Sequence, residues 1–343
     1  MSSYKFLTTK LIRWSNWGPI KVPVFVTLLT YIVLSNQEIT TSSLTDALLY
    51  FCFAMLHTAL SYVTNAWGDL EFDNLSGRSN PFRSLSYIHG LSLILGLFFI
   101  AALSGLPFIF QSHFVDFWFC WAFLNFTYSL HPFRFKERRL TGFAFTIALQ
   151  WTVPVFLTFA AMGRLNQLDC VIFAVANTVN GATLELSHMR YDRRRDLRLK
   201  AEQFRMPVHS DRLDQLYNIA LFMDKTAIGM ITVIIFGGIT LRFGIWLGLL
   251  PLLIFLILLV FAFLEAARAL SGDEYIDPNY ANYRSANTYL HKTIPYLFIP
   301  GYLLTLIILI HPANMIFLIL FIFWRFSMLH SVSDQVQVYT HPH

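Results

Sequence analysis

Three polar side chains at four-residue spacing form the first group in this chain that is suited to binding a metal ion. They are Asn65, Asp69 and Asp73, within the segment NAWGDLEFD. Steps of four residues place side chains on one face of an α-helix, about 6 Å apart per turn, so their oxygens can converge on one hard cation. His57 and Ser61 continue the same line upstream, which predicts a polar face that extends toward a buried cavity.

A second acidic group comprises Glu185, Asp192 and Asp196, at intervals of seven and four residues that again select one helical face. One such group alone is typical of a solvated helix end. Magnesium prefers oxygen ligands and commonly bridges one or two carboxylates to phosphate oxygens. Two carboxylate groups that face each other across a cavity would therefore bind a diphosphate carried by Mg²⁺ ions.

The composition predicts a membrane protein, in which these groups lie at the cytoplasmic ends of the second and sixth spans. Of 343 residues, 56% are hydrophobic and 13% are charged, whereas soluble domains carry about 25% charged residues. A spanning helix needs about 20 apolar residues, because its backbone polar groups must pair within the segment. We predict an all-α bundle of nine or ten transmembrane helices around a central cavity open to the cytoplasm, with spans near 18–36, 45–65, 88–104, 107–128, 142–162, 167–187, 217–238, 242–264, 293–310 and 313–331.

Two points of this span assignment stay open. One is the split of residues 88–128 at Gly105-Leu106-Pro107, and the other is whether the last two spans form a helical hairpin or one span plus a re-entrant piece. Residues 1–17 are predicted to be an amphipathic interfacial segment, 18–331 the transmembrane domain and 332–343 a C-terminal tail. Asp224-Lys225, within the seventh span, is predicted to include a paired charge near the interface.

Basic residues predict that the N-terminus is cytoplasmic, because lysine and arginine accumulate in short cytoplasmic loops. With that orientation, only Arg164 and Arg242 fall on the opposite side. The net charge of +5 follows from the same rule. We therefore predict a multi-pass integral membrane protein whose partner is the lipid bilayer, with no nucleic-acid partner.

Three motifs in order resemble those of the UbiA superfamily of intramembrane prenyltransferases, over most of the chain. The Asn65, Asp69 and Asp73 pattern is similar to its first motif, and the acid at 185 with Asp192-x-x-x-Asp196 resembles the second motif of 4-hydroxybenzoate polyprenyltransferases. Between them lies a segment that resembles its tyrosine, proline and basic signature, comprising Tyr128, Pro132, Arg134 and Lys136. This chain departs from the family pattern at Ala66, at Asn80-Pro81 and at Arg193 to Arg195.

The resemblance implies that the chain ionises a prenyl diphosphate with the help of Mg²⁺. It implies catalytic carboxylates at Asp69, Asp73, Asp192 and Asp196, which with Asn65 would also hold the metal. It further implies substrate-binding roles for Asn65, Arg83, Tyr128, Arg134, Lys136 and Glu185.

Three classes of function are compatible with these residues. The first is transfer of the isoprenyl group to an aromatic or quinone-precursor acceptor. The second is a membrane terpene cyclase, which ionises the same substrate without an acceptor. The third is a transporter or lipid-binding channel, although transporters more often show broken spans in matching positions of two repeats, and no such repeat is visible in this sequence.

Overall fold

The structure is a computed structural model that describes residues 11–12, 14–36, 40–75, 80–204, 211–270, 289–310 and 312–322. All regular secondary structure in these residues is helical, as predicted. The α-helices are α1 (Trp14–Ser35), α2 (Thr41–Gly68), α3 (Leu70–Leu75), α4 (Tyr87–Gly105), α5 (Phe114–Ser129), α6 (Arg139–Ile147), α7 (Val153–Ala161), α8 (Leu168–Phe204), α9 (Asp211–Phe243), α10 (Ile245–Leu270) and α11 (Ile299–Ile310). Two π-helical segments, Ala148–Thr152 and Tyr289–Phe298, precede α7 and α11.

Seven helices among the described residues are long and apolar enough to cross a bilayer, which makes the chain a multi-pass membrane protein. These spans are Trp17–Ser35, Thr41–Gly68, Tyr87–Phe108, Leu140–Ala161, Leu168–Met189, Leu213–Phe243 and Ile245–Arg268. A shorter apolar helix covers Ile294–Ile310. Helix α5 has 16 residues and so extends roughly 24 Å, less than the bilayer core of about 30 Å.

The structure divides residues 88–128 between two helices, at the place where the sequence leaves the division open. Helix α4 ends at Gly105, a 3₁₀ turn covers Leu106–Phe108, and α5 begins at Phe114. Pro107 lacks a backbone N–H and so cannot continue the hydrogen-bond pattern of an α-helix interior.

The chain divides into two compact units, so the predicted transmembrane domain of residues 18–331 contributes to both. The first unit contains residues 1–137, 157–163 and 295–343, and the second contains 138–156 and 164–294. Residues 1–10 of the predicted interfacial segment and the whole predicted tail, 332–343, lie outside the described residues, whereas Trp14 to Trp17 form the first turn of α1.

In the first unit α2 is the central helix, packing against α1, α4 and α5, while α11 packs against α1. Tyr50, Phe53, Phe108 and Phe114 form a fully buried aromatic core, with Tyr50 and Phe53 5.5 Å apart between ring centroids. Burying rings of this size removes a large apolar area from the surroundings and holds the helices at fixed spacing. The C-terminal ends of α2 and α5 also lie next to each other, at Asn65 and Ser129.

In the second unit α9 packs against both α8 and α10. The Thr183 hydroxyl of α8 donates to the Ala220 carbonyl of α9 at 3.0 Å, and Leu186, Tyr217, Leu221 and Ala266 pack together where the three helices meet. Buried hydroxyls in hydrocarbon need such partners. The contacts tie α8, α9 and α10 into one bundle.

Candidate functional site

The first acidic motif lies where a long helix is interrupted. Helix α2 ends at Gly68, Asp69 lies in a turn, and the short helix α3 begins at Leu70. The backbone N–H of Asp69 still donates to the Asn65 carbonyl at 3.0 Å, and that of Asp73 to the Asp69 carbonyl at 2.8 Å. The helical hydrogen bonds between residues four positions apart therefore continue through the turn, from Asn65 to Asp69 and from Asp69 to Asp73.

Close contact between α2 and α5 depends on glycine at position 68. A Cβ atom on Gly68 would clash with the Ser129 carbonyl oxygen, so only glycine permits this approach. One turn earlier on α2, the Asn65 side-chain oxygen accepts a 3.4 Å hydrogen bond from the Ser129 hydroxyl. The end of α5 and the loop that follows it are thus held against the first acidic motif.

The loop after α5 returns toward α2 at Arg134. Arg134 has a backbone φ of 38°, in the left-handed region that non-glycine residues seldom adopt. Its guanidinium donates to the Gly68 carbonyl at 2.7 Å and to Asp69 Oδ1 at 3.3 Å, and it forms an ion pair with Glu137 Oε1 at 2.6 Å. The Arg134 side chain is 8% exposed, and these three contacts hold it in place between α2 and the loop.

Two residues further on, Lys136 contacts Asn65 of α2 and Asp69 of the turn that follows it. Its Nζ donates to Asn65 Oδ1 at 2.9 Å and to Asp69 Oδ1 at 2.5 Å, while the Asn65 amide donates to Asp69 Oδ2 at 3.3 Å. Burial lowers the pKa of the Lys136 ammonium, and the hydrogen bond and charge of Asp69 oppose that shift. Asn65, Asp69, Arg134 and Lys136, all named from the sequence as candidate site residues, thus form one polar cluster.

The oxygens of this site suit a hard cation. The ammonium of Lys136 lies between Asn65 Oδ1 and Asp69 Oδ1, so these two oxygens already converge on one positive charge. Amide and carboxylate oxygens are ligands that Mg²⁺ accepts, and Mg²⁺ is usually held by one or two carboxylates plus phosphates and waters. Within the described residues no group of three or more His, Cys, Asp or Glu side chains is gathered.

Asp73 is fixed by the segment that follows α3. Its Oδ2 accepts a 2.8 Å hydrogen bond from the amide of Asn80, which also donates to the Ala66 carbonyl at 2.8 Å. Asn80 additionally caps the 3₁₀ turn Pro81–Ser84 by accepting from the Phe82 N–H. Sequence reasoning treated Asn80 only as a departure from a family motif, although asparagine before proline is a known turn and cap signal.

The predicted polar line from Asn65 toward a buried cavity ends in an aromatic cluster instead. His57 is 3% exposed, and its Nε2 accepts a 2.7 Å hydrogen bond from the Trp118 indole. Its other ring nitrogen lies 3.3 Å from the Phe53 carbonyl, and its ring stacks on Trp121 at 5.1 Å. Because both ring nitrogens and one face are engaged, His57 is part of the α2–α5 packing.

The other predicted site residues have different surroundings. Tyr128 is half-buried near the end of α5, Arg83 is exposed in the turn Pro81–Ser84, and Glu185 is half-buried on α8. Asp192 and Asp196 fall within the backbone range of α8, but their side chains lie outside the described part of the chain. The second acidic motif accordingly stays a prediction.

The chemistry of Asn65, Asp69, Arg134 and Lys136 is inferred from their contacts and from the motifs in the sequence. No protein-family model, curated protein or solved structure matches the chain.

Proposed function

We propose that this chain is a Mg²⁺-dependent intramembrane prenyltransferase, which moves an isoprenyl group from a prenyl diphosphate to an aromatic or quinone-precursor acceptor. The observation that carries the proposal is the contact of Lys136 Nζ with both Asn65 and Asp69, which joins residues up to 71 positions apart in the chain. It brings the first acidic motif and the basic signature into one cluster, as diphosphate chemistry requires. Cationic donors bind phosphate oxygens, while the carboxylate and amide oxygens bind the metal.

The residues of this cluster would have separate roles in binding a diphosphate. Asn65 and Asp69 would hold Mg²⁺, together with Asp73, Asp192 and Asp196 as the sequence predicts. When bound, the metal supplies charge neutralisation that makes diphosphate a better leaving group. Lys136 would donate to phosphate oxygens as a flexible point charge, and Arg134, held on three sides, would keep Asp69 in place.

An apolar groove in the same unit suits the hydrocarbon part of such a substrate. It has a volume of about 420 Å³ and is lined by α1, the first half of α2, α11 and residues 316–321. Trp14 lines the groove and packs on Trp17, which stacks on Tyr62, one turn from Asn65. These ring contacts link the groove lining to the part of α2 that carries the polar cluster, an arrangement that suits a polar head joined to an isoprenyl chain.

In the proposed enzyme the N-terminus is cytoplasmic, because the basic loops predict that orientation. The full bundle has nine or ten transmembrane helices around a cavity that opens to the cytoplasm. Diphosphate would then enter from the aqueous side while the isoprenyl chain stays in the membrane.

The test uses the purified full-length protein with Mg²⁺ and prenyl diphosphates of several lengths, with and without phenolic acceptors. We expect diphosphate release that depends on Mg²⁺ and on acceptor, with a prenylated acceptor detected by mass spectrometry. A cyclic hydrocarbon formed without acceptor would show that the protein is a terpene cyclase and not a transferase. No consumption of any prenyl diphosphate would overturn both.

A further inference from the structure

Arg134 and Lys136 both contact Asp69, but they are held in different ways. The Arg134 guanidinium also contacts a backbone carbonyl and Glu137, so it stays anchored if Asp69 changes partner. The contacts of the Lys136 ammonium are to Asn65 and Asp69, the two oxygen donors suited to a metal. Lysine carries its charge on a flexible four-carbon chain, whereas the planar guanidinium of arginine is bound through a rigid fork.

The position of the ammonium excludes a metal ion from the same two oxygens. Nζ lies 2.9 Å from Asn65 Oδ1 and 2.5 Å from Asp69 Oδ1. A Mg²⁺ ion would need to lie about 2.0–2.1 Å from these oxygens. Both cations cannot occupy that space, and their charges repel at this separation. A metal can therefore bind here only after the ammonium has left.

We propose that Lys136 is a tethered cation, which occupies the metal position between Asn65 and Asp69 in the substrate-free protein and transfers to the diphosphate when substrate and metal arrive together. This inference rests on the proposed function and concerns the regulation of the same site. Without a diphosphate, a metal must displace the ammonium and leave it in a partly buried region without its carboxylate. With a diphosphate, phosphate oxygens replace that carboxylate as the partner of the ammonium.

Metal and diphosphate should consequently bind with positive coupling. Diphosphate gives the displaced ammonium a new partner, so it makes metal binding more favourable. By thermodynamic linkage, bound metal must then raise the affinity for diphosphate by the same factor. The device would keep the site from holding a metal that has no substrate attached. The Lys136 ammonium would also neutralise the negative charge of Asp69 while no ligand is bound.

The test measures Mn²⁺ binding to the full-length protein by electron paramagnetic resonance, with no diphosphate present. We expect Lys136→Met to bind Mn²⁺ roughly tenfold or more tightly than the wild type. Arg138→Met is the charge-matched control in the same loop and should leave Mn²⁺ affinity near that of the wild type. Adding Asp69→Asn to Lys136→Met should remove the gain, which assigns it to this site.

A second arm adds inorganic pyrophosphate. Wild-type Mn²⁺ affinity should rise on addition of pyrophosphate, and the rise should be several-fold smaller in Lys136→Met. Lys136→Gln, with its thermal midpoint measured beside the others, serves if the methionine variant does not fold.

Equal Mn²⁺ affinity in wild type and both Lys136 variants, in a protein that consumes prenyl diphosphates, overturns the tethered cation and leaves the proposed function standing. A gain that survives Asp69→Asn also overturns it. A wild-type protein that is inert toward every prenyl diphosphate overturns the proposed function and this inference with it.

Discussion

Two contacts between an aspartate and a lysine lie in the described part of the chain, and they differ in almost every physical respect. Asp69 and Lys136 are 67 residues apart, on a helix end and a loop, and their side chains are 23% and 12% exposed. Asp224 and Lys225 are neighbours within α9, lie 3.3 Å apart and are both fully buried. The charge of Glu265 on α10 also interacts with the Lys225 ammonium.

This difference indicates which pair can do chemistry. A buried ion pair within a membrane span is expensive to separate, because neither charge has water to return to. Asp69 and Lys136 keep partial access to solvent and to an arriving ligand, so their contact can be exchanged. We therefore interpret the first pair as part of the site and the second as a structural pair.

Breaking the contact between Asp69 and Lys136 should have the greatest effect, which is a loss of turnover. Asp69→Ala removes a proposed metal ligand and the partner of Lys136, so we expect turnover to fall roughly a thousandfold or more. Asp116→Ala, an exposed carboxylate in the first turn of α5, should retain wild-type turnover. Membrane insertion should be normal in both, as judged by yield in the membrane fraction; near-normal turnover in Asp69→Ala would remove this residue from the site.

A comparable loss is expected for Asp192→Ala, the matching position of the second acidic motif. The reason is the same, since a diphosphate with its metal ions needs carboxylates from more than one segment. The assay is diphosphate release under saturating Mg²⁺, with Asp116→Ala again as the reference. Full activity in Asp192→Ala would restrict the metal site to the first motif.

Breaking the buried pair should change stability more than catalysis. Lys225→Met leaves Asp224 without its lysine and should cost about 3–5 kcal/mol of unfolding free energy. Asp224→Asn should cost less, because Glu265 still compensates Lys225. The double variant should be less destabilised than the sum of the two, as measured by thermal unfolding in detergent. Additive effects in that cycle would show that the two charges do not interact.

A smaller effect should follow from a single methyl group at the helix contact beneath the site. Gly68→Ala places a Cβ against the Ser129 carbonyl, and overpacking of this kind costs about 1–3 kcal/mol. Gly96→Ala, in the middle of α4, meets nothing within 4 Å and should be neutral or slightly stabilising, because alanine favours helix more than glycine. Equal thermal midpoints for the two variants would contradict the close approach of α2 and α5.

Some of this could be read from the sequence because it depends on local patterns. The break at Gly105-Leu106-Pro107 follows from the missing N–H of proline, and the spacing of Asn65, Asp69 and Asp73 follows from helical periodicity. The apolar spans follow from the need to pair backbone groups in hydrocarbon. Spacing also predicts a polar face from Asn65 through His57 toward a cavity, whereas in the structure Trp118 and Trp121 pack on His57. Spacing along one helix carries no information about which side chains of another helix pack against it.

Composition and spacing were enough to predict an all-helical, multi-pass membrane protein and to name Asn65, Asp69, Arg134 and Lys136 as candidate residues. The contacts among them came from the three-dimensional fold: Lys136 donates to Asn65 and Asp69, Arg134 donates to the Gly68 carbonyl, and Asp73 accepts from Asn80. The two kinds of information differ in the distance along the chain over which they act. Hydrophobicity and helical period act over a few turns, whereas a contact across 67 residues depends on how closely two helices approach, and here one glycine hydrogen in place of a methyl group permits that approach.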